Sequence, residues 1–311
     1  MGKLYSALIA LGLIWGTSFL FIKILLHDLG PEAVVFGRCL FGAAALWGIS
    51  FIKREKIQWK RLPFRLLILV GLINNALPWY FISKSETAIS SSMASVINAT
   101  TPIWTIIIGW LFFGSKLRKS QWAGIMIGFF GIFILSGFRT GDLAEGNTAG
   151  IVFMSMAAFC YGLGTHLSKK YLEGVSVLQI SLFTLTSAAL ASGLYTGIAS
   201  PSSIPLLFAP DRLGSLVILG ALGSGAAYLL YYFLVQKGSP EFASLVTYIV
   251  PVSAIAWGYF LLGEHIKPGM AVGLAVIFLG IYISSYKVKR VKKQETRSGC
   301  LRMQSMQMER K

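Results

Sequence analysis

Apolar residues along this chain fall in long, nearly uninterrupted runs separated by short polar stretches. A helix rises 1.5 Å per residue, so about 20 apolar residues are needed to cross a hydrocarbon core of about 30 Å. The runs predict an all-α integral membrane protein with ten transmembrane helices, at about 4–26, 32–52, 64–83, 87–113, 121–138, 149–168, 175–197, 213–235, 241–262 and 268–286. The first run has no A-x-A cleavage site and is followed at once by another span. It is therefore expected to stay as a helix and not to be removed as a signal peptide.

The pattern also repeats on a longer scale. Residues 99–114 read ATTPIWTIIIGWLFFG and residues 248–263 read YIVPVSAIAWGYFLLG, with Pro, Gly and Gly at the same three places. A shift of 149 residues (251 minus 102) pairs Pro102 with Pro251, Gly109 with Gly258, Gly114 with Gly263, Gly124 with Gly273, Gly131 with Gly280, and Gly71 with Gly220. The same shift pairs Ala94-Ser95 with Ala243-Ser244 and Trp79 with Tyr228, while a shift of 146 (161 minus 15) pairs Trp15-Gly16 with Tyr161-Gly162 and Lys23 with Lys169. The expected organisation is a first five-helix repeat at 1–138, an outer linker at 139–148, a second repeat at 149–286 and a basic cytoplasmic tail at 287–311. Because each unit has an odd number of spans, the second must enter the membrane from the opposite side, so the two repeats are inverted. Secondary transporters are commonly built this way.

Composition agrees, and the placement of charge adds orientation. The chain is 55% hydrophobic and 13% charged, where a soluble domain carries about 25% charged residues. Its net charge of +16 raises nucleic acid as a partner, but the basic residues alternate by loop. Lys53, Arg54, Lys56, Lys60, Arg61 and Arg65 lie between spans 2 and 3; Lys116, Arg118 and Lys119 between 4 and 5; Lys169 and Lys170 after span 6. The tail adds Lys287, Lys289, Arg290, Lys292 and Lys293, whereas the other loops hold Lys84, Arg139, Arg212 and Lys267. That is the positive-inside bias, which places both termini in the cytoplasm of a multi-pass cell-membrane protein and excludes nucleic acid. The tail can also meet anionic lipid. Cys39, Cys160 and Cys300 have no metal or disulfide spacing, and no cofactor or P-loop motif is present.

Polar residues inside spans are the candidate chemistry. Ser91, Ser95, Asn98, Pro102 and Thr105 are spaced 4, 3, 4 and 3 along span 4, and Pro240, Ser244, Thr247 and Pro251 repeat that face in span 9. Such stripes are expected to point inward, or to serve close helix packing. Pro102 and Pro251 each unpair a carbonyl four residues earlier, on Asn98 and Thr247, which points to a site near the midplane or to a kink satisfied by neighbouring helices. Trp15 with Tyr161, and Trp79 with Tyr228, offer apolar faces with polar edges, with Tyr231 and Tyr232 nearby. Asn74 and Asn75, beside Pro78, are two amides in an apolar span that need partners. Arg38 lies about 10 Å inside span 2 at 1.5 Å per residue, where it can form a structural ion pair with Glu86, Asp28 or Glu32 or contact a substrate carboxylate. His166 is a packed histidine or a proton-linked group. Lys23 and Lys169 can snorkel to opposite faces.

The WGTSF stretch in span 1, Arg38, the SETAISSSMAS entry into span 4 and the P-x11-G-x9-G spacing in both halves resemble the drug/metabolite transporter superfamily, in its ten-span EamA-type branch. The resemblance covers about Leu4 to Tyr286. Where the family often has Gly-Glu-Arg-Leu, this chain has Gly-Ser-Lys-Leu at 114–117 and Gly-Glu-His-Ile at 263–266. The resemblance implies a monomeric or weakly dimeric carrier, not an enzyme, whose central cavity between the halves is lined by spans 1, 3, 4, 6, 8 and 9. Its substrate set would be Trp15, Asn74, Asn75, Trp79, Ser95, Asn98, Pro102, Tyr161, His166, Tyr228, Thr247 and Pro251, with Arg38 and Glu86 as a structural ion pair and no metal. The implied cargo is an amino acid or related metabolite moved outward, with a proton as a candidate co-substrate. A multidrug or nucleoside-type efflux carrier is the alternative. An intramembrane serine hydrolase using Ser18 and His166 is the remote one, weakened because Ser18 pairs with Gly164 under the 146-residue shift.

Overall fold

A backbone in lipid has no water to bond, so its N–H and C=O groups must pair within the segment, which a helix does. The structure, a computed structural model, describes residues 2–57, 59–89, 91–115, 119–136, 148–253, 272–273 and 275–283, and the helices found there follow that rule. They are α1 (Gly2–Leu25), α2 (Pro31–Ile52), α3 (Phe64–Glu86), α4 (Ser91–Asn98), α5 (Thr101–Phe113), α6 (Lys119–Ser136), α7 (Thr148–Tyr171), α8 (Val177–Ala199), α9 (Pro210–Lys237) and α10 (Pro240–Ser244). Residues 246–253 and 275–283 are helical as well, and short helical turns lie at Trp59–Arg61 and Ser203–Leu206. Among the described residues, α1, α2, α3, α7, α8 and α9 are each long and apolar enough to cross a membrane, and α5 is a shorter apolar helix. Among the described residues the regular structure is all helical, and the chain is a multi-pass membrane protein. Residues 139–147, Gly258, Gly263, the 263–266 tetrapeptide, Tyr286 and the tail lie outside the described residues.

Hydrophobic residues face both ways, as a bilayer requires. Leu194 and Ile198 on α8 are 71% and 84% exposed, whereas Ile180, Leu182, Leu185 and Ala188 on the same helix are fully buried. Trp59 and Trp122 are 54% and 41% exposed, and tryptophan is a residue type enriched at membrane interfaces.

Two features depart from simple spans. The run at 87–113 is interrupted at Ala99–Thr100, so Pro102 opens a new helix where a kink was expected. Proline has no N–H to lose at a helix start, which makes this the cheaper place for it. The carbonyl it releases on Asn98 accepts from Thr101 Oγ1 at 2.6 Å. The α5 helix then ends at Gly114 with φ of 65°, a left-handed cap that suits glycine. Secondly, α3 and α9 each contain a π segment, at Leu72–Ala76 and Ile218–Ala226. A π turn shifts carbonyls out of the regular ladder and is frequent at functional sites.

Helix contacts come in matched sets. α3 packs on α8 and α7, while α9 packs on α2 and α1; α2 and α8 pack on each other. The closest approaches match residue by residue. A Cβ at Gly71 would meet Ser187 Oγ at 2.1 Å and the Thr184 carbonyl at 2.5 Å; one at Gly220 would meet Phe41 Cβ at 2.5 Å and the Arg38 carbonyl at 3.0 Å. Thr184 and Ser187 are Arg38 and Phe41 shifted by 146 residues (184 minus 38, 187 minus 41). Likewise Gly164 lies against Asn74, and Gly223 against Ser18, which are the same pair of positions under the two shifts.

Candidate functional site

The π segments bring backbone carbonyls to the centre of the molecule, where aromatic donors from other helices take them. Tyr228 OH donates to the Asn74 carbonyl at 2.8 Å, and Trp15 Nε1 donates to the Gly223 carbonyl at 3.1 Å. Gly223 is Asn74 shifted by 149 (223 minus 74). Around these bonds the rings meet: Trp15 and Tyr161 stack at 6.5 Å between centroids, Trp79 and Tyr228 meet edge to face at 5.2 Å, and Trp15 lies 6.0 Å from Tyr228. Trp79 and Tyr228 are almost fully buried. The four aromatics chosen from the sequence therefore form one cluster across both halves of the chain. The offset and edge geometry is the favourable one for rings with negative faces and positive edges.

Asn74 and Asn75 behave differently although both are fully buried. Asn74 Oδ1 accepts from Tyr231 OH at 3.3 Å and its Nδ2 donates to Tyr232 OH at 3.4 Å. Tyr232 OH in turn donates to Thr184 Oγ1 at 3.3 Å, and Tyr231 OH is hydrogen-bonded to Thr165 Oγ1. Both polar atoms of Asn75 are enclosed without a partner.

Arg38 is 2% exposed. Its Nε donates to Ser224 Oγ at 3.1 Å, and its Cζ sits 3.7 Å above the centroid of the Trp79 ring. The fixed guanidinium is thus a cation–π partner in a desolvated setting. None of the described ion pairs joins it to Glu86, Asp28 or Glu32. Glu86 is buried at the end of α3, and its carbonyl accepts from Lys23 Nζ at 2.8 Å.

On the stripe, Ser95, Asn98, Pro102, Thr105, Ser244, Thr247 and Pro251 are all buried, as expected. His166 is buried too, but its Nε2 is hydrogen-bonded to the Thr105 carbonyl at 2.8 Å and its ring stacks on Phe113 at 5.0 Å. It is held by backbone and ring packing. Ser18 lies against Gly223, so no nucleophile–base contact joins Ser18 to His166.

Sequence reasoning missed Ser224, Thr184 and Thr165. Ser224 and Thr184 are the shifted mates of Asn75 and Arg38, a signal present in the repeat; Thr165 carries no such signal. Among the described residues no cluster of His, Cys, Asp and Glu suits a metal ion.

The chain is similar to known proteins along most of its length. The family described as "EamA-like transporter family" matches residues 3–137 and 148–286. An "Uncharacterized transporter" of Archaeoglobus fulgidus is 28% identical over 280 residues, covering 86% of this chain and 94% of the relative. The "Uncharacterized inner membrane transporter YedA" of Escherichia coli K12 is 28% identical over 284 residues, with 90% of each chain covered. A "Probable amino-acid metabolite efflux pump" of the same organism is 23% identical over 287 residues, covering 89% and 92%. A solved crystal structure with 16% sequence identity superimposes with a TM-score of 0.77 over 94% of this chain and 99% of that one, which establishes a shared fold.

Proposed function

The chain belongs to the EamA-like transporter family and is a membrane transporter; on that premise we propose a secondary carrier that exports an amino acid or related metabolite by alternating access between two inverted five-helix repeats. The observation that carries the proposal is the central cluster. Trp15 with Tyr161, and Trp79 with Tyr228, are shifted mates that touch one another, and the mates Asn74 and Gly223 both give carbonyls to it. Contacts between equivalent residues of two repeats are expected around a pseudo-two-fold axis, where transporters of this build bind cargo. The matched glycine contacts and the twice-matching family give the same support.

In this reading residues 1–138 and 149–286 are the repeats and both termini face the cytoplasm. The cluster opens alternately to each side. The relative named as an amino-acid metabolite efflux pump favours that cargo class and outward direction; the aromatic character of the cluster favours lipophilic or nucleoside-type cargo as the second reading.

The test is flux. Purified protein in liposomes is screened with pooled radiolabelled amino acids and nucleosides, with and without an imposed pH gradient. Saturable transport of amino acids, lost in Asn98→Ala and Trp79→Ala, is the expected result. A response to the pH gradient would assign proton coupling. Nucleoside flux alone would replace the cargo class, and non-saturable flux would remove the carrier mechanism.

A further inference from the structure

Arg38 carries hydrogen-bond donors that the chain does not use. Its Nε is fixed by Ser224 at 3.1 Å and one face of its guanidinium is covered by Trp79 at 3.7 Å. Among the described residues no hydrogen bond is made by Nη1 or Nη2, and no ion pair reaches them. The residue as a whole is 2% exposed, so this edge is held inside the helix bundle. A guanidinium cannot shed its charge, removing it from water is costly, and the buried Glu86 carboxylate acts on it electrostatically without being one of the described ion pairs. What remains available is its in-plane edge, with two parallel N–H donors. That edge matches the two oxygens of a carboxylate in a bidentate pair. Trp79 bars approach from above its ring, so the acceptor must come in the guanidinium plane. Trp79 also meets Tyr228 at 5.2 Å, which puts the edge beside the aromatic cluster.

We propose that the Nη edge of Arg38 is a carboxylate subsite, holding the acid group of the cargo while its apolar body lies against Tyr228, Trp15 and Tyr161. The assignment rests on the carrier reading and narrows it: the cargo is a carboxylic acid with an apolar or planar body, and cationic or neutral lipophilic compounds lack the matching group. Ser224 is a positioning residue for the guanidinium.

Matched acids and amides test it. Liposome flux is measured for phenylalanine, leucine and threonine and for the carboxamide of each, with wild-type protein, Arg38→Gln and Ser224→Ala. A charged hydrogen-bonded pair corresponds to roughly tenfold or more, so the wild type is expected to move at least one acid about tenfold faster than its amide. In Arg38→Gln the acid-to-amide ratio should fall towards one, with a smaller fall in Ser224→Ala. Equal flux of acids and amides in the wild type overturns the subsite and leaves the carrier standing, and this comparison needs no variant. An undiminished ratio in folded Arg38→Gln also overturns it. Absence of saturable flux for all six compounds overturns the subsite together with the carrier reading for this cargo class.

Discussion

Trp79 and Tyr228 lie 149 residues apart in the chain (228 minus 79) and meet edge to face at 5.2 Å. Each also holds a second group: Trp79 carries the Arg38 guanidinium on its face, and Tyr228 donates to the Asn74 carbonyl. The pair therefore ties the two π segments, the buried cation and both halves of the chain into one contact. Aromatic pairs add about 0.5–1.5 kcal/mol beyond their buried area, and both truncations remove the same pair. Trp79→Ala and Tyr228→Ala should each abolish most saturable flux, and the double variant should lose less stability than the two single losses combined. Thermal unfolding in detergent and liposome flux check this; strictly additive losses would separate the two rings.

Two adjacent amides should respond differently to the same substitution. Asn74 is bonded to Tyr231 and Tyr232 and packed on Gly164, so Asn74→Leu should cost about 1–3 kcal/mol by leaving buried hydroxyls short of partners. Asn75 has neither amide atom paired, so Asn75→Leu, of similar size, should be neutral or stabilising. The apparent melting temperatures of the two variants against wild type decide it, and a stability loss in Asn75→Leu matching that of Asn74→Leu would contradict the pairing.

Close backbone approach at Gly71 leaves no room for a methyl group, with the Thr184 carbonyl 2.5 Å from the position of a Cβ. Gly220 faces the Arg38 carbonyl at 3.0 Å in the equivalent contact. Overpacking of this kind costs about 1–3 kcal/mol. Gly71→Ala should therefore destabilise the fold more than Gly48→Ala, where a Cβ meets nothing within 4 Å, as read by size-exclusion recovery after heating.

Lys23 Nζ donates to the Glu86 carbonyl, and Lys169 Nζ to the Gln236 carbonyl, each at 2.8 Å. Both lysines cap the last turn of another helix, where a cation is worth about 0.3–1 kcal/mol. Lys23 joins α1 to α3 and Lys169 joins α7 to α9, pairs that otherwise touch lightly. In an inverted repeat these contacts close opposite faces. Lys23→Ala should then raise labelling of a Ser95→Cys reporter from one side by a few-fold and Lys169→Ala from the other, in a background lacking Cys39, Cys160 and Cys300. Parallel changes from one side would contradict opposite-face roles.

Between α1 and α2, Asp28 is held below the ordinary carboxylate range by hydrogen bonds from His27 and from Arg212, the latter at 3.2 Å. A depressed folded value means that its contribution is present above the unfolded value of about 3.9 and is lost as the pH falls through the lower, folded one. Acid destabilisation below about pH 4 should therefore be weaker in Asp28→Asn, measured as melting temperature against pH. The group is exposed, so the difference should be small and should shrink with added salt.

Hydrophobic runs and their punctuation determined that this chain is a helical membrane protein, because span length is a one-dimensional property that local apolarity sets. The matched registers were equally legible: Gly71 with Gly220, and Trp15 with Tyr161, share positions under a constant shift that require no coordinates to see. The aromatic and amide positions of the cluster were legible too, as residues out of place in an apolar run. Their partners were not. Which hydroxyl and which ring Arg38 meets, and whether Asn74 or Asn75 is satisfied, depends on which faces of α2, α3 and α9 meet, and the π segments rotate those faces by an amount that periodicity does not encode. The same holds for Pro102, which starts a helix where the apolar run reads as continuous. His166 could be suspected from its type alone, yet its hold on the Thr105 carbonyl depends on α5 and α7 packing at Gly109, where a side chain would collide with the imidazole at 2.7 Å. Local chemistry names the residues that need partners; only the packed helices decide which of them obtain one.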